Sequence, residues 1–136
     1  MLKYIKYLMK EVDIDIPLTK EEEEEKIDFL KKRKFSDFRI HPYYNRDSYI
    51  KHVVELDIIK DVYPQFDKII GVFKRPANKG YKYSFIYKIE DIKSLVLCFY
   101  LDETPPKFFN AYFDYTKQDK KLRKKVEKWM KKESKK

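Results

Sequence analysis

Apolar residues recur at helical spacing in four stretches and form strand-like runs in four others. Near the start, Leu2, Ile5, Leu8, Met9 and Val12 fit one helix face, whereas Val12, Ile14 and Ile16 alternate with Asp13 and Asp15 as in a strand. Pro17 ends whichever element precedes it. Thr19–Lys34 predicts a helix. Thr19 is the N-cap, Glu21–Glu25 lie at the positive end of the dipole and Lys31–Lys34 at the negative end. Its apolar stripe is thin, Ile27 and Leu30. After an irregular stretch to Asn45, a second helix capped by Asn45 or Asp47 is expected to run to about Asp61. Tyr49, Ile50, Val53, Val54, Leu56, Ile58 and Ile59 form its apolar face.

Beyond Pro64 the period shortens. Lys68–Lys74 reads as a strand, followed by a turn over Arg75–Gly80 in which Asn78 and Gly80 can take positive φ. Tyr81, Tyr83, Phe85, Tyr87 and Ile89 alternate with Lys82, Ser84, Ile86 and Lys88, a half-buried strand. Leu95, Leu97, Phe99 and Leu101 share one face of the next strand. Val96, Cys98 and Tyr100 share the other, so both faces are apolar and the strand should be central. Asp102–Lys107 forms a loop, and Phe108–Tyr115 the fourth strand. A helix over Asp119–Lys132 closes the chain, with Leu122, Val126, Trp129 and Met130 as its stripe.

Helices followed by a run of strands predict an α+β fold: N-terminal helices, a four-stranded antiparallel meander sheet and a C-terminal basic helix. One sheet face is expected to carry helices and the other to be an open, Tyr-rich surface. The 136 residues form a single domain, divided into a helical segment (1–34), a helix plus antiparallel sheet core (35–116) and a basic helix and tail (117–136).

Charge changes this picture at one place. Lys117–Lys136 hold eleven Lys and Arg against three acids, a net +8, so nearly all of the chain's +9 lies in its last twenty residues. Such a segment attracts phosphate polymers by releasing condensed counterions, or it serves only to keep the protein in solution. Its Lys121, Arg123, Lys124 and Lys125 are candidate phosphate contacts. Aromatic residues make up 17% of the chain, too many for a disordered one.

Candidate chemistry is narrowed by what is scarce. Two glycines, Gly71 and Gly80, cannot build a phosphate-binding loop. A lone Cys98 excludes internal disulfides and Cys-rich zinc sites, and it falls in an apolar strand. His41 and His52 match no metal-ligand spacing, so no metal or cofactor is expected. No apolar run approaches the roughly 18 residues that span a bilayer, so a cytoplasmic protein without a membrane partner is expected.

What remains suits metal-independent RNA cleavage. This needs a base for the 2′-hydroxyl, an acid for the leaving oxygen, and cations for the phosphorane. His41 and His52 would supply the acid and base, and Arg39, Arg46, Lys74, Arg75 and Lys82 the cations. Tyrosines would hold the bases. The structural alternatives are a boundary residue for His52, a loop hydrogen bond for His41, and solvated hairpin charges for Lys74, Arg75 and Lys82. Asn110, the neutral polar side chain of FFNAYFDY, projects into a site or faces water.

From His41 to about Thr116 the chain resembles the phage-associated barnase/EndoU/colicin/RelE-like nuclease superfamily. The resemblance is carried by His41-Pro42, by the helix ending before VYPQFDKII, and by the strand order IIGVFK, YKYSFIYK, SLVLCFYL, FFNAYFDY. It implies an endoribonuclease, of toxin-like or mobile-element origin, with a catalytic histidine (His41 or His52) and a basic residue on the sheet (Lys82). It also implies a final-strand position where Asn110 replaces the usual Thr or Ser. A cognate protein inhibitor would be a natural partner. The rival readings are a non-catalytic nucleic-acid-binding module and a protein-interaction domain whose basic tail only solubilises it.

Overall fold

The computed structural model describes residues 15–40, 54–78, 80–115 and 118–134. The expectations for residues 1–14, and those for His41, Arg46 and His52, lie outside these residues. In chain order the described strands and α-helices are β1 (Ile16–Pro17), α1 (Lys20–Lys31), β2 (Arg39–Ile40), α2 (Leu56–Val62), β3 (Ile69–Pro76), β4 (Tyr81–Glu90), β5 (Lys93–Tyr100), β6 (Lys107–Asp114) and α3 (Gln118–Ser134).

The fold is α+β, and its sheet departs from expectation. The four long strands β3–β6 pair antiparallel in sequence order, but two short strands extend them to a six-stranded sheet, β1-β3-β4-β5-β6-β2. β1 is antiparallel to β3, and β2 runs parallel to β6, so the sheet is mixed. Two-residue strands carry no periodicity, and their place is set by the partner's free edge. Pro17 suits an edge position because it brings no N–H to a ladder.

Thr19 caps α1 as its sequence implies, its Oγ1 accepting from the Glu22 N–H at 3.2 Å. The helix stops at Lys31, short of Lys34, whose backbone is already extended. A single 3₁₀ turn, Phe35–Asp37, then drives Phe35 and Phe38 into the core. Glu55 is extended and acts as N-cap of α2, so it breaks the expected helix just before Leu56, and Val54 is fully buried ahead of it. The part of that expectation before Val54, with its caps Asn45 or Asp47, lies outside the described residues.

Helices α1 and α2 cover one sheet face. Between them and the sheet, Phe35, Phe38, Tyr63, Phe99 and Phe108 form a ring cluster with centroids 4.8–6.5 Å apart, mostly edge-on or tilted. Truncating a buried Phe such as Phe85, Phe99 or Phe108 costs about 3–5 kcal/mol. Two phenols lock helix to sheet. Tyr63 donates to the Leu30 and Arg33 carbonyls at the end of α1 (2.7 and 3.0 Å), and Tyr87 donates to the Tyr63 carbonyl (3.0 Å).

The expected open, Tyr-rich surface is therefore corrected. Tyr83 and Tyr87 point into the helix-covered core. Nor is the second face open throughout, because Phe73, Ile86, Val96 and Cys98 form a buried cluster there, with Ile70, Phe109 and Tyr112 against it; the end of this face that carries Arg75, Lys82, Tyr100 and Lys107 is half-exposed. Alternation divides the side chains between two faces, but it does not say which face the helices take. α3 approaches this second face, and Lys125 Nζ lies 4.9 Å from the Phe73 ring centroid.

Candidate nucleic-acid interface

Side chains of register partners in a sheet stand on the same face, so the ladder shows which candidates meet. Arg75 pairs with Lys82, Lys82 with Tyr100, Tyr100 with Lys107, and Lys107 with Arg39. These five residues form one row across β3, β4, β5, β6 and β2. With strands about 4.8 Å apart the row is about 19 Å long. Three expected phosphate contacts, Arg39, Arg75 and Lys82, thus come from distant segments onto one line.

A bulge in β6 completes the row. Between Cys98 and Phe99 of β5 the register shifts, leaving Phe109 as the extra residue of β6. Its ring stacks on Tyr100, centroids 4.3 Å apart and planes inclined by 28°. The Lys82 ammonium lies 5.9 Å from the same ring. Both rings are half-buried. Burial, then the charge of Glu103, raise the Tyr100 phenol above its ordinary pKa, so it stays a neutral hydroxyl.

Carboxylates offset part of the charge. Glu103 binds Lys107 at 3.0 Å. Asp15 Oδ1 accepts from Arg75 Nε (3.1 Å) and Nη2 (2.9 Å), and its Oδ2 takes Lys125 Nζ at 2.8 Å. Burial pushes the Asp15 carboxyl up, but Lys125 and Arg75 together outweigh it and hold it below its usual range. Four cations against two carboxylates leave the row with a net charge of +2. Asp15 also ties β1, β3 and α3 together at one point.

The other candidates separate. Lys74, adjacent to Arg75, points to the opposite face, where it meets both Glu22 carboxylate oxygens at 3.1 Å and lies over the Tyr81 ring. Asn110 does share the second face with Lys82, in the next row, opposite Cys98. One strand separates β4 from β6 and one row separates the two residues, so Lys82 and Asn110 are about 12 Å apart along the sheet. They can flank one bound nucleotide but cannot share a proton. Lys121 and Arg123 fall within α3, Lys124 is exposed on it, and Lys125 is the residue that docks it. His41, His52 and Arg46 stand outside the described residues.

Cys98 is buried, with its thiol 3.5 Å from the Ser84 hydroxyl. Burial pushes its pKa up to about 11, against a smaller pull from Ser84, so it is not a nucleophile at neutral pH. Among the described residues no group of three His, Cys, Asp or Glu is placed to hold a metal ion, and no helix is long and apolar enough to cross a membrane. On the helix-covered side, α1 and β3 border an open cleft of about 540 Å3. Its walls are Glu24, Asp28, Lys31 and Asp67 over Ile27, Phe66 and Ile69, and this acidic lining disfavours a polyanion.

Sequence reasoning misses Lys107, the Tyr100–Phe109 stack and the Asp15 bridge. Lys107 reads as loop, and only the bulge brings Phe109 to the face of Tyr100. Compared with known proteins, the chain matches no family model, no curated protein and no solved structure.

Proposed function

We propose that the chain binds single-stranded RNA along the row Arg75–Lys82–Tyr100–Lys107–Arg39. The observation that carries this reading is the row itself: two cations flank a stacked aromatic pair on each side over about 19 Å, a distance suited to a few nucleotides. A base laid against Tyr100 and Phe109 gains stacking energy whatever its identity, and the flanking cations neutralise its phosphates. Binding should therefore be tolerant of sequence and steep in salt.

Anisotropy titration of a labelled single-stranded RNA tests this. Tyr100→Ala removes a stacking partner worth about 1–3 kcal/mol, so affinity falls roughly 5- to 150-fold. Lys82→Ala removes one phosphate contact and reduces the salt slope by about 0.7. Wild-type affinity and slope in both variants would reject the reading.

A second reading, metal-independent endoribonuclease, is favoured by Arg39. This residue belongs to the row, and His41 follows it by two positions in the chain. In this reading His41, which lies outside the described residues, serves as general acid or base, and the cations of the row stabilise the phosphorane. RNA should then be cut in the presence of EDTA and left intact by His41→Ala. Tight binding without cleavage by the wild type leaves the binding module alone.

A further inference from the structure

The basic helix α3 carries eight Lys or Arg and three acids, and one side of it is committed to the sheet. Lys125 is held by Asp15 and lies over Phe73, and Val126 and Trp129 are half-buried. Around the rest of the helix the lysines are not scattered. Lys124, Lys128 and Lys131 recur at i, i+4 and i+7. At 100° and 1.5 Å per residue these positions fall within about 60° of arc and extend about 11 Å along the axis. Lys124, Lys128 and Lys131 are exposed.

We infer that this lysine stripe is a second binding surface, for the backbone of double-stranded RNA, and that the preferred partner joins a stem to a single strand. This rests on the proposed function only for the single-stranded part. The stripe positions hold no aromatic residue that could stack on a base, so they recognise charge alone. The helix fixes the spacing of the lysine Cα positions, which suits phosphates already fixed in a duplex, so the ordering cost on binding falls on the lysine side chains and not on the nucleic-acid backbone. The sheet row offers the complementary feature, an aromatic stack that only unpaired bases can use. An anionic lipid surface would also attract the lysines, but insertion needs a free apolar face; Val126 and Trp129 are already half-buried, and Met130, expected in the buried stripe, is a single exposed apolar side chain and not a face. Glu127, exposed and within helical reach of Lys124 and Lys131, tempers the charge.

The test uses the full chain with three probes: a blunt RNA hairpin, a single-stranded RNA, and vesicles containing phosphatidylserine. The variant is Lys124→Gln with Lys128→Gln and Lys131→Gln, all at exposed positions, with thermal unfolding as the control for folding. At 0.1 M salt each neutralised duplex phosphate contributes about 0.9 log unit, so three predict a loss of up to about 500-fold. With Glu127 nearby, about 100-fold is expected, with the hairpin salt slope shallower by about 2–3. Single-strand affinity should stay within about threefold. Unchanged hairpin affinity and slope would overturn the inference, as would equal losses for both RNAs. Wild-type binding to vesicles in preference to the hairpin would overturn it in favour of a lipid surface. If Lys82→Ala and Tyr100→Ala leave single-strand binding intact while the triple variant loses the hairpin, the sheet reading fails and the stripe stands.

Discussion

Asp15→Asn should make the protein less stable and a better RNA binder at the same time. The carboxylate accepts two bonds from Arg75 and one from Lys125, at 2.8–3.1 Å. Breaking a fully buried pair by removing one partner costs about 3–5 kcal/mol, and breaking an exposed one about 0–1. The side chains of Asp15, Arg75 and Lys125 are 21%, 41% and 27% exposed, which places the loss between these limits, about 2 kcal/mol. For a chain of this length the melting temperature should fall by about 8 °C. The sign of the pH dependence follows from the folded pKa, which is depressed below 3.8. The carboxylate therefore stabilises the fold above that value and ceases to do so as pH falls through the folded pKa. Wild type and variant should differ fully at about pH 6 and converge in acid, once the pH has dropped through the folded value. Binding moves the other way. A carboxylate about 5 Å from a bound phosphate, at an effective dielectric constant of about 50–80, costs about 0.8–1.3 kcal/mol, so its loss should tighten RNA binding roughly 4- to 9-fold. Calorimetry across pH and anisotropy with single-stranded RNA measure the two effects. A variant with wild-type stability near neutral pH, or with weaker RNA binding, refutes the assignment of Asp15 as a bridge that competes with phosphate.

One substitution and one chemical treatment probe the scaffold. Gly80→Ala should cost about 2–3 kcal/mol by urea denaturation. Gly80 sits at φ +82°, and an added Cβ would overlap the Asp102 carboxylate that accepts from the Tyr81 N–H at 3.0 Å. Asp102→Ala in the same chain removes the overlap with the carboxylate and leaves only the contact with the residue's own Cβ at 2.9 Å, so the double variant should lose less than the sum of the single losses. The Cys98 thiol, pushed up to about 11 by burial, should resist a disulfide reagent at about pH 8 in the native protein and react fully in urea, whereas rapid native labelling would contradict the buried second face.

How far the fold is legible depends on the length scale of each signal. Patterns running within one segment are readable: the Thr19 cap, the doubly apolar β5 that proves central, the turn at Gly80 and the basic α3. Features that arise between segments are not. β1 and β2 are two residues each, too short to show a period, and only their partners' edges define them. The Tyr side of β4 reads as amphipathic either way, and nothing in YKYSFIYK tells that its rings face α1 and α2. At the candidate interface, the residue types of Arg39, Arg75 and Lys82 stand out in the sequence, but their alignment depends on register across five strands. Adjacent residues such as Lys74 and Arg75 must part to opposite faces once they enter a strand. The bulge that brings Phe109 beside Tyr100 has no local signature, since neither neighbour is a glycine or a proline.

The paired phenols near the centre of the molecule bear on how it comes apart. Tyr63 holds the Leu30 carbonyl of α1 and the Arg33 carbonyl just beyond it through its hydroxyl and receives Tyr87 of β4 on its own carbonyl, so one residue serves as the hinge pin between two layers. The final turn of α1 cannot fray without exposing polar groups at the middle of the sheet. Helix and strand are thereby joined into one cooperative unit, and local loosening is confined to segments that this pin does not reach.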